Sequence, residues 1–168
     1  PNMNATAGCS IIEETIGGLL LDRGLWLAIT ESCTGGLISH RITNIPGSSR
    51  YLKGSIIAYS NDVKNELLSV SPETLKRYGA VSAETATEMA EGVRRKIGTD
   101  IGLSVTGIAG PSGGTEEKSV GTVFIAVCNK KDTRSYRFHF KGSREKIKAE
   151  SADNALEILK EFLLLFCE

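Results

Sequence analysis

Residues 25–36 read Leu-Trp-Leu-Ala-Ile-Thr-Glu-Ser-Cys-Thr-Gly-Gly, and the rest of the fold can be worked out from this stretch. Its first part, Leu25–Thr30, is mainly apolar and predicts a short buried strand. The polar part, Glu31–Gly36, ends in two glycines and is typical of a tight turn. Apolar spacing from Leu37 to Thr43 then predicts a helix. A strand that turns directly into a helix indicates an α/β domain with parallel strands.

Strands and helices continue to alternate along most of the chain. We predict further strands at Leu52–Tyr59, Ile101–Thr106, Val120–Cys128 and Arg134–Phe140, and helices at Ile11–Gly24, Asn61–Leu68, from Ser71-Pro72, at Ser82–Gly98 and from Ser143. The turn Asn129–Asp132 is too short for a crossover helix, so the last two strands form a hairpin. We expect an α/β fold, namely a three-layer α/β/α domain with a mixed, mostly parallel sheet of about five strands.

Composition limits the classes of function. The 168 residues fit one domain over 1–168, of which we expect residues 1–8 to be poorly ordered. Twenty basic and twenty acidic side chains cancel, which argues against non-specific binding of nucleic acid or of an anionic membrane. No segment has the pattern of a secretory signal or a membrane span.

Cysteine and histidine are sparse. The cysteines lie far apart, without a Cys-x-x-Cys pair, at positions 9, 33, 128 and 167. This spacing excludes a zinc ribbon and fits a reducing, cytoplasmic setting. The chain has only two histidines, His40 and His139, which excludes a three-histidine metal site.

Polar and glycine-rich segments follow each predicted parallel strand. They are Glu31–Gly36, Tyr59-Ser60-Asn61 with Lys64, and Thr106–Gly114. Ligands bind outside the carboxyl ends of such strands, so we expect these segments to form one site. Thr34-Gly35-Gly36 and the 107–114 loop are candidate cradles for a phosphate or an oxyanion, although the glycines also serve to make tight turns.

Ser32 and Lys64 are the candidate reactive pair. A serine needs a neighbouring base to act as a nucleophile, and with so few histidines the base at hand is a lysine. The first turn of a helix and burial both disfavour the ammonium form, so we expect the pKa of Lys64 to be lowered. Tyr59 either packs in the sheet or hydrogen-bonds to the lysine or the substrate. Cys33 is a rival nucleophile, because a helix N-terminus lowers the pKa of a thiol.

Arg144 follows the last predicted strand at the start of a helix. With Lys148 one helical turn further on, it either binds a phosphate or belongs to a solvated basic face.

Several motifs in the right order resemble the carboxy-terminal domain of the CinA family over most of the chain. They are Glu31–Gly36, Pro46–Ser49, Tyr59-Ser60-Asn61 with Lys64, Gly79–Ser82, Thr106–Pro111, Val120-Gly121-Thr122, and Gly142 with Arg144. Two positions depart from the family's usual residues, Ser119 (usually proline) and Thr30 (commonly alanine). The molybdopterin-binding-like domain of longer members is not part of the resemblance, so its activity is not expected of these residues.

The resemblance implies hydrolysis of the carboxamide of nicotinamide mononucleotide to nicotinic acid mononucleotide and ammonia, in pyridine nucleotide salvage. It implies Ser32 as nucleophile, Lys64 as its base, and Tyr59 as a group that orients the lysine or shuttles a proton. No metal or cofactor is implied. The expected substrate-binding residues are Thr34, Gly35, Gly36, Gly47, Ser48, Ser49, Asn61, Thr106, Gly107, Gly110 and Arg144. Of these, amides near Thr34–Gly36 would hold the oxyanion, while Arg144 and the Gly47–Ser49 turn would hold the phosphate.

Two other functions stay open. A CinA-like domain can serve as a non-catalytic binding or regulatory module linked to competence or DNA damage. The glycine loops also permit a phosphate-handling transferase, which is disfavoured because the chain has neither a P-loop nor a carboxylate pair for magnesium. As partners we expect a small nucleotide substrate and a second copy of the chain in a homo-oligomer, but no nucleic acid and no membrane.

Overall fold

The computed structural model describes residues 11–166, so the expectation for residues 1–8 falls outside the described part of the chain. The strands are β1 (Leu27–Glu31), β2 (Leu52–Ile57), β3 (Ile101–Gly107), β4 (Thr122–Cys128) and β5 (Thr133–His139). The α-helices are α1 (Ile12–Asp22), α2 (Leu37–Thr43), α3 (Asn61–Leu68), α4 (Pro72–Tyr78), α5 (Ala83–Ile97) and α6 (Arg144–Phe166). A short 3₁₀ helix, Ser48–Arg50, lies in the segment predicted as a loop.

The described strands form one sheet in the order β2-β1-β3-β4-β5. β1 pairs in parallel with both β2 and β3, whereas β4 pairs antiparallel with β3 and with β5. Four of these strands therefore point the same way and β4 opposes them, which confirms the mixed sheet and the hairpin.

Helices cover both faces of the sheet and give the three predicted layers. On one face α1, α2 and α6 pack over the largest apolar cluster, which includes Ile29, Leu103 and Ile125. On the other face α3 and α5 pack over alternate residues of the same strands, such as Ala28 and Ala126. Each central strand is buried on both sides, as strands in a layered α/β domain must be.

Local chemistry sets where the elements begin and end. Ser60, Ser71 and Ser82 each accept a hydrogen bond from an amide in the first turn of the following helix, and so act as N-caps. The strand predicted from Val120 begins at Thr122 instead, because Gly121 has a φ of +94°. β2 ends at Ile57, two residues before the predicted end, because the chain turns there toward the cap of α3.

Candidate functional site

The structure brings Ser32 and Lys64 into contact at the carboxyl edge of the parallel strands. Ser32 directly follows β1, and its amide donates to the carbonyl of Val105 on β3 at 3.0 Å. Lys64 lies on α3, which begins just after β2. Its Nζ lies 3.1 Å from Ser32 Oγ, across 32 positions of sequence. The rule that ligands bind at the carboxyl ends of parallel strands predicted that Ser32 and Lys64 lie near each other. The pairing of β1 with β2 brings the two residues into contact.

Lys64 is buried, with 1% of its surface exposed. Its Nζ donates to the carbonyl oxygens of Ala58 at 2.9 Å and of Tyr59 at 3.5 Å, and among the described residues it forms no salt bridge. Burial lowers the pKa of Lys64, and Cys33 opposes this only in part. Carbonyl oxygens only accept, so the Ser32 hydroxyl is the neighbour that can donate a proton to the neutral amine.

A cavity of about 260 Å³ opens beside this pair. It is lined by Ser32, Cys33, Tyr59, Lys64, Ala80, Val81, Thr106, Gly107, Ile108, Ala109, Gly110, Ser112, Gly113 and Arg144. None of these described residues is acidic, and two of them carry basic side chains. The cavity therefore favours a ligand with acceptor or anionic groups.

Arg144 joins the walls of the cavity at the start of α6. Its guanidinium donates to the carbonyl of Gly110 at 2.6 Å and to Tyr59 Oη at 3.0 Å. The Tyr59 ring is mostly exposed, and the contact of Tyr59 with Lys64 is made by its backbone carbonyl. Tyr59 thus contacts the lysine only through its main chain, while its hydroxyl accepts from Arg144. Lys148, one turn further on α6, places its Nζ beside Gly35 of the turn between β1 and α2.

The turn between β1 and α2, Ser32–Gly36, which we call the nucleophile loop, keeps some of its amides free. The amide of Gly35 donates to the carbonyl of Ser32 at 3.1 Å. Those of Cys33, Thr34 and Gly36 make no hydrogen bond to another described residue. Of the predicted oxyanion donors Thr34, Gly35 and Gly36, only the Gly35 amide is engaged within the turn, and none of the three residues lines the cavity. Cys33 does line it, and its amide, which lies beside its own thiol, is therefore a further candidate donor.

Cys33 does not have the environment predicted for a rival nucleophile. Its thiol is buried, and burial is the main cause that raises the pKa of Cys33 to about 12. The negative charge of Glu31 adds to this rise. The sequence led us to expect a lower pKa from the helix N-terminus, and that expectation is wrong because burial outweighs it.

Some predicted binding residues lie elsewhere. The Gly47–Ser49 turn precedes β2 and therefore lies at the amino edge, separated from the cavity by the six residues of that strand. At about 3.3 Å per residue this is roughly 20 Å, so within one chain the turn does not reach a ligand in the cavity. Asn61, Thr34, Gly35 and Gly36 lie close to the cavity by sequence but do not line it.

Sequence reasoning left out the wall formed by Ala80 and Val81. This wall is held by Thr106, whose hydroxyl donates to the carbonyl of Ala80 at 2.7 Å. Thr106 therefore shapes the cavity with its side chain. The sequence does contain a signal for this wall, the Gly79–Ser82 motif, but no chemical role was predicted for that motif. Ile108, Ala109, Ser112 and Gly113 also line the cavity; they lie in the Thr106–Gly114 segment predicted for the site but were not named as individual binding residues.

Residues 11–166 contain no group of three or more His, Cys, Asp or Glu side chains that could hold a metal ion. In the same range, no helix has the length and apolar character needed to cross a bilayer. His40 and His139 contact Asn44 and Ser119, and neither lines the cavity.

Comparisons with known proteins point to one family. The family described as the CinA C-terminal domain matches residues 10–163. The chain is 48% identical over 157 residues to a CinA-like protein of Dictyoglomus turgidum, which covers 94% of this chain and 38% of the relative. The chain thus spans well under half the length of the curated relatives it matches.

Solved structures agree with this match. The competence damage-inducible protein A (ComA) of Klebsiella pneumoniae superposes with a TM-score of 0.89 at 31% identity, over 92% of this chain and 96% of that one. The competence/damage inducible protein CihA of Agrobacterium tumefaciens gives 0.83 at 37% identity, over 90% and 94%.

Proposed function

Since this chain belongs to the CinA C-terminal domain family, we propose that it is an amidohydrolase that converts nicotinamide mononucleotide to nicotinic acid mononucleotide and ammonia. Ser32 is the nucleophile and Lys64 its base. The observation that carries the proposal is the 3.1 Å contact between Lys64 Nζ and Ser32 Oγ. Lys64 is buried and has no carboxylate partner among the described residues, and it lies beside a serine that lines a cavity. This is the arrangement that a serine–lysine amidase needs.

The proposed reaction has two stages. The neutral Lys64 amine takes the Ser32 proton as Ser32 Oγ attacks the carboxamide carbon, and the Cys33 amide donates to the oxyanion that forms. The lysine ammonium then gives its proton to the leaving nitrogen, so that ammonia departs and an acyl-enzyme remains. Water, deprotonated by the same amine, attacks the acyl carbon and releases the acid product with free Ser32.

The cavity supports a nucleotide substrate by size and charge. Its volume of about 260 Å³ is slightly below the range of about 300–1,000 Å³ typical of ligand clefts. It would therefore enclose the pyridine carboxamide and leave the phosphate near the rim. Arg144 stands at that rim as an exposed cation without a carboxylate partner among the described residues. Its guanidinium has donors to spare for a phosphate.

The test is to incubate purified protein with nicotinamide mononucleotide and to measure ammonia and the acid product together. Equimolar release of both, absent in Ser32→Ala, supports the proposal. Binding of the nucleotide without release of ammonia contradicts it and favours the binding or regulatory module instead.

A further inference from the structure

Glu31 is a buried carboxylate that the proposed reaction leaves unused. It is the last residue of β1, directly before Ser32, and is fully buried. Its oxygens accept four hydrogen bonds: from Thr34 Oγ1 at 2.7 Å, from the Ile38 amide at 2.9 Å, from the Ser39 amide at 3.0 Å and from Ser39 Oγ at 2.7 Å. Among the described residues no salt bridge involves it.

These contacts replace a missing helix cap. α2 has Gly36 at its N-cap position, and glycine has no side chain with which to accept from the first-turn amides. Glu31 accepts from two of them instead, and its negative charge opposes the positive end of the helix dipole. The helix end is thereby occupied by the protein's own carboxylate.

The same contacts span the nucleophile loop. Glu31 stands before the loop, Thr34 lies within it, and Ile38 and Ser39 lie beyond it on α2. The hydrogen bonds of one buried side chain thus restrain the loop in its middle and at its C-terminal end. From this geometry we infer that Glu31 is a positioning residue, which holds Ser32 Oγ against Lys64 and fixes the backbone of the nucleophile loop. The effect on turnover rests on the proposed function, whereas the effect on the loop does not.

Glu88 provides a matched control. It also accepts from the start of a short helix, from the Ser71 amide at 2.7 Å and from Thr74 Oγ1 at 2.5 Å, at the N-terminus of α4. It does not line the cavity. Glu31→Gln and Glu88→Gln therefore both remove a carboxylate charge from the start of a short helix, one at the loop and one away from it, although Glu31 is fully buried with four hydrogen bonds and Glu88 is half-buried with two. In Glu31→Gln the side-chain NH2 group cannot accept from a backbone amide, so either the Ile38 or the Ser39 amide loses its partner, whereas Glu88→Gln can keep both contacts because the Thr74 hydroxyl can accept as well as donate.

The first measurement is the alkylation rate of Cys33 by iodoacetamide, followed by mass spectrometry with Cys128 as reference. Both thiols are buried, and Cys128 lies in the sheet core, so it reports global unfolding. In Glu31→Gln we expect Cys33 to react about tenfold faster while Cys128 is unchanged, as for a local opening. In Glu88→Gln neither rate should change. An unchanged Cys33 rate in Glu31→Gln would overturn the inference.

The alkylation rate of Cys33 can change because the loop opens or because the charge of Glu31, which raises the pKa of Cys33, is removed. Ser39→Ala separates these two effects. This variant removes the contact of Ser39 Oγ but keeps the Glu31 carboxylate. We expect a smaller rise in the alkylation rate of Cys33, caused by loop opening alone. Acceleration in Glu31→Gln with none in Ser39→Ala would reduce the role of Glu31 to electrostatics and contradict the inference.

The second measurement is turnover of nicotinamide mononucleotide. We expect kcat to fall about 100-fold in Glu31→Gln with KM nearly unchanged, because a misplaced nucleophile slows attack more than binding. An equal fall in Glu88→Gln would contradict positioning. A wild-type protein without turnover would refute the proposed function, and the labelling would still test Glu31.

Discussion

Lys64 and Arg41 lie on opposite faces of the sheet in opposite surroundings. Arg41, on α2, donates to Glu13 at 2.7 Å and to Asp153 at 2.5 Å. Burial lowers the pKa of Arg41, but the bonds to Asp153 and Glu13 outweigh burial and raise it. Lys64 has carbonyls and a hydroxyl instead of carboxylates, and burial lowers its pKa. The paired Arg41 joins helices, whereas Lys64, which has no carboxylate partner among the described residues, has an environment that favours the neutral amine.

The largest effect is expected at the serine that Lys64 contacts. Ser32→Ala should lower kcat by about 10³-fold or more, because it removes the attacking oxygen and leaves the fold intact. Cys33→Ala should retain most of the activity, since burial keeps that thiol protonated. Ammonia release by the two variants measures this, and an active Ser32→Ala with an inactive Cys33→Ala would reverse the assignment of the nucleophile.

Lys64→Arg tests whether the Lys64 side chain acts as a base. An arginine keeps the charge and does not accept a proton, so we expect kcat to fall by about 10²- to 10⁴-fold. In the wild type, activity should fall as the pH drops through the lowered pKa of Lys64, because protonation disables the base. That limb should lie below about pH 10.4, the ordinary value for lysine. Near-normal kcat in Lys64→Arg, with an unchanged pH profile, would leave Lys64 only an electrostatic role.

Arg144 extends the contrast to an exposed cation at the cavity rim. If its free donors hold the substrate phosphate, Arg144→Ala should raise KM by about 10- to 100-fold and change kcat much less, as expected for loss of about 1.5–3 kcal/mol of charge-assisted hydrogen bonding. The comparison is between nicotinamide mononucleotide and the riboside, which lacks the phosphate. Equal KM values for wild type and variant on the mononucleotide would remove Arg144 from the phosphate site.

Arg41→Met should alter stability and leave turnover unchanged. The substitution leaves the Glu13 carboxylate, 10% exposed, without its partner, and we expect the free energy of unfolding to fall by about 1–2 kcal/mol after allowance for solvent screening. Adding Glu13→Gln should recover part of the loss, because the unpaired charge is then gone. Urea unfolding measures both variants. A fall in kcat larger than about twofold would show that the paired cation also serves the site.

The order of strands and helices could be predicted because each element carries local signals. Ser60, Ser71 and Ser82 are helix caps that chemistry restricts to a few residue types, and the short turn near Asn129 permits only a hairpin. The convergence of Ser32 and Lys64 followed from the rule for carboxyl ends of parallel strands. These inferences need only neighbouring residues and the direction of the chain.

Contacts that depend on how side chains of distant segments pack could not be predicted from the sequence. The wall formed by Ala80 depends on Thr106, 26 positions away, and the raised pKa of Cys33 depends on its burial in the folded chain. The Gly47–Ser49 turn was placed at the site because it belongs to a motif. Its position before a parallel strand puts it at the opposite edge, which chain direction alone would have shown.

The smallest effect is expected at Tyr51, a buried polar group outside the site. Its hydroxyl makes no hydrogen bond within residues 11–166 and lies against Gly17 of α1. Tyr51→Phe removes an unsatisfied hydroxyl, so the free energy of unfolding should rise by about 1 kcal/mol with kcat unchanged. Burial raises the pKa of Tyr51, so the unfolded chain loses this proton first and the advantage of phenylalanine should grow as the pH rises above about 10. Urea unfolding at pH 7 and pH 10.5, with the partly exposed Tyr136→Phe as control, measures this. A loss of stability in Tyr51→Phe would show that the buried hydroxyl is stabilising, and a loss of turnover would show that Tyr51 also serves the site.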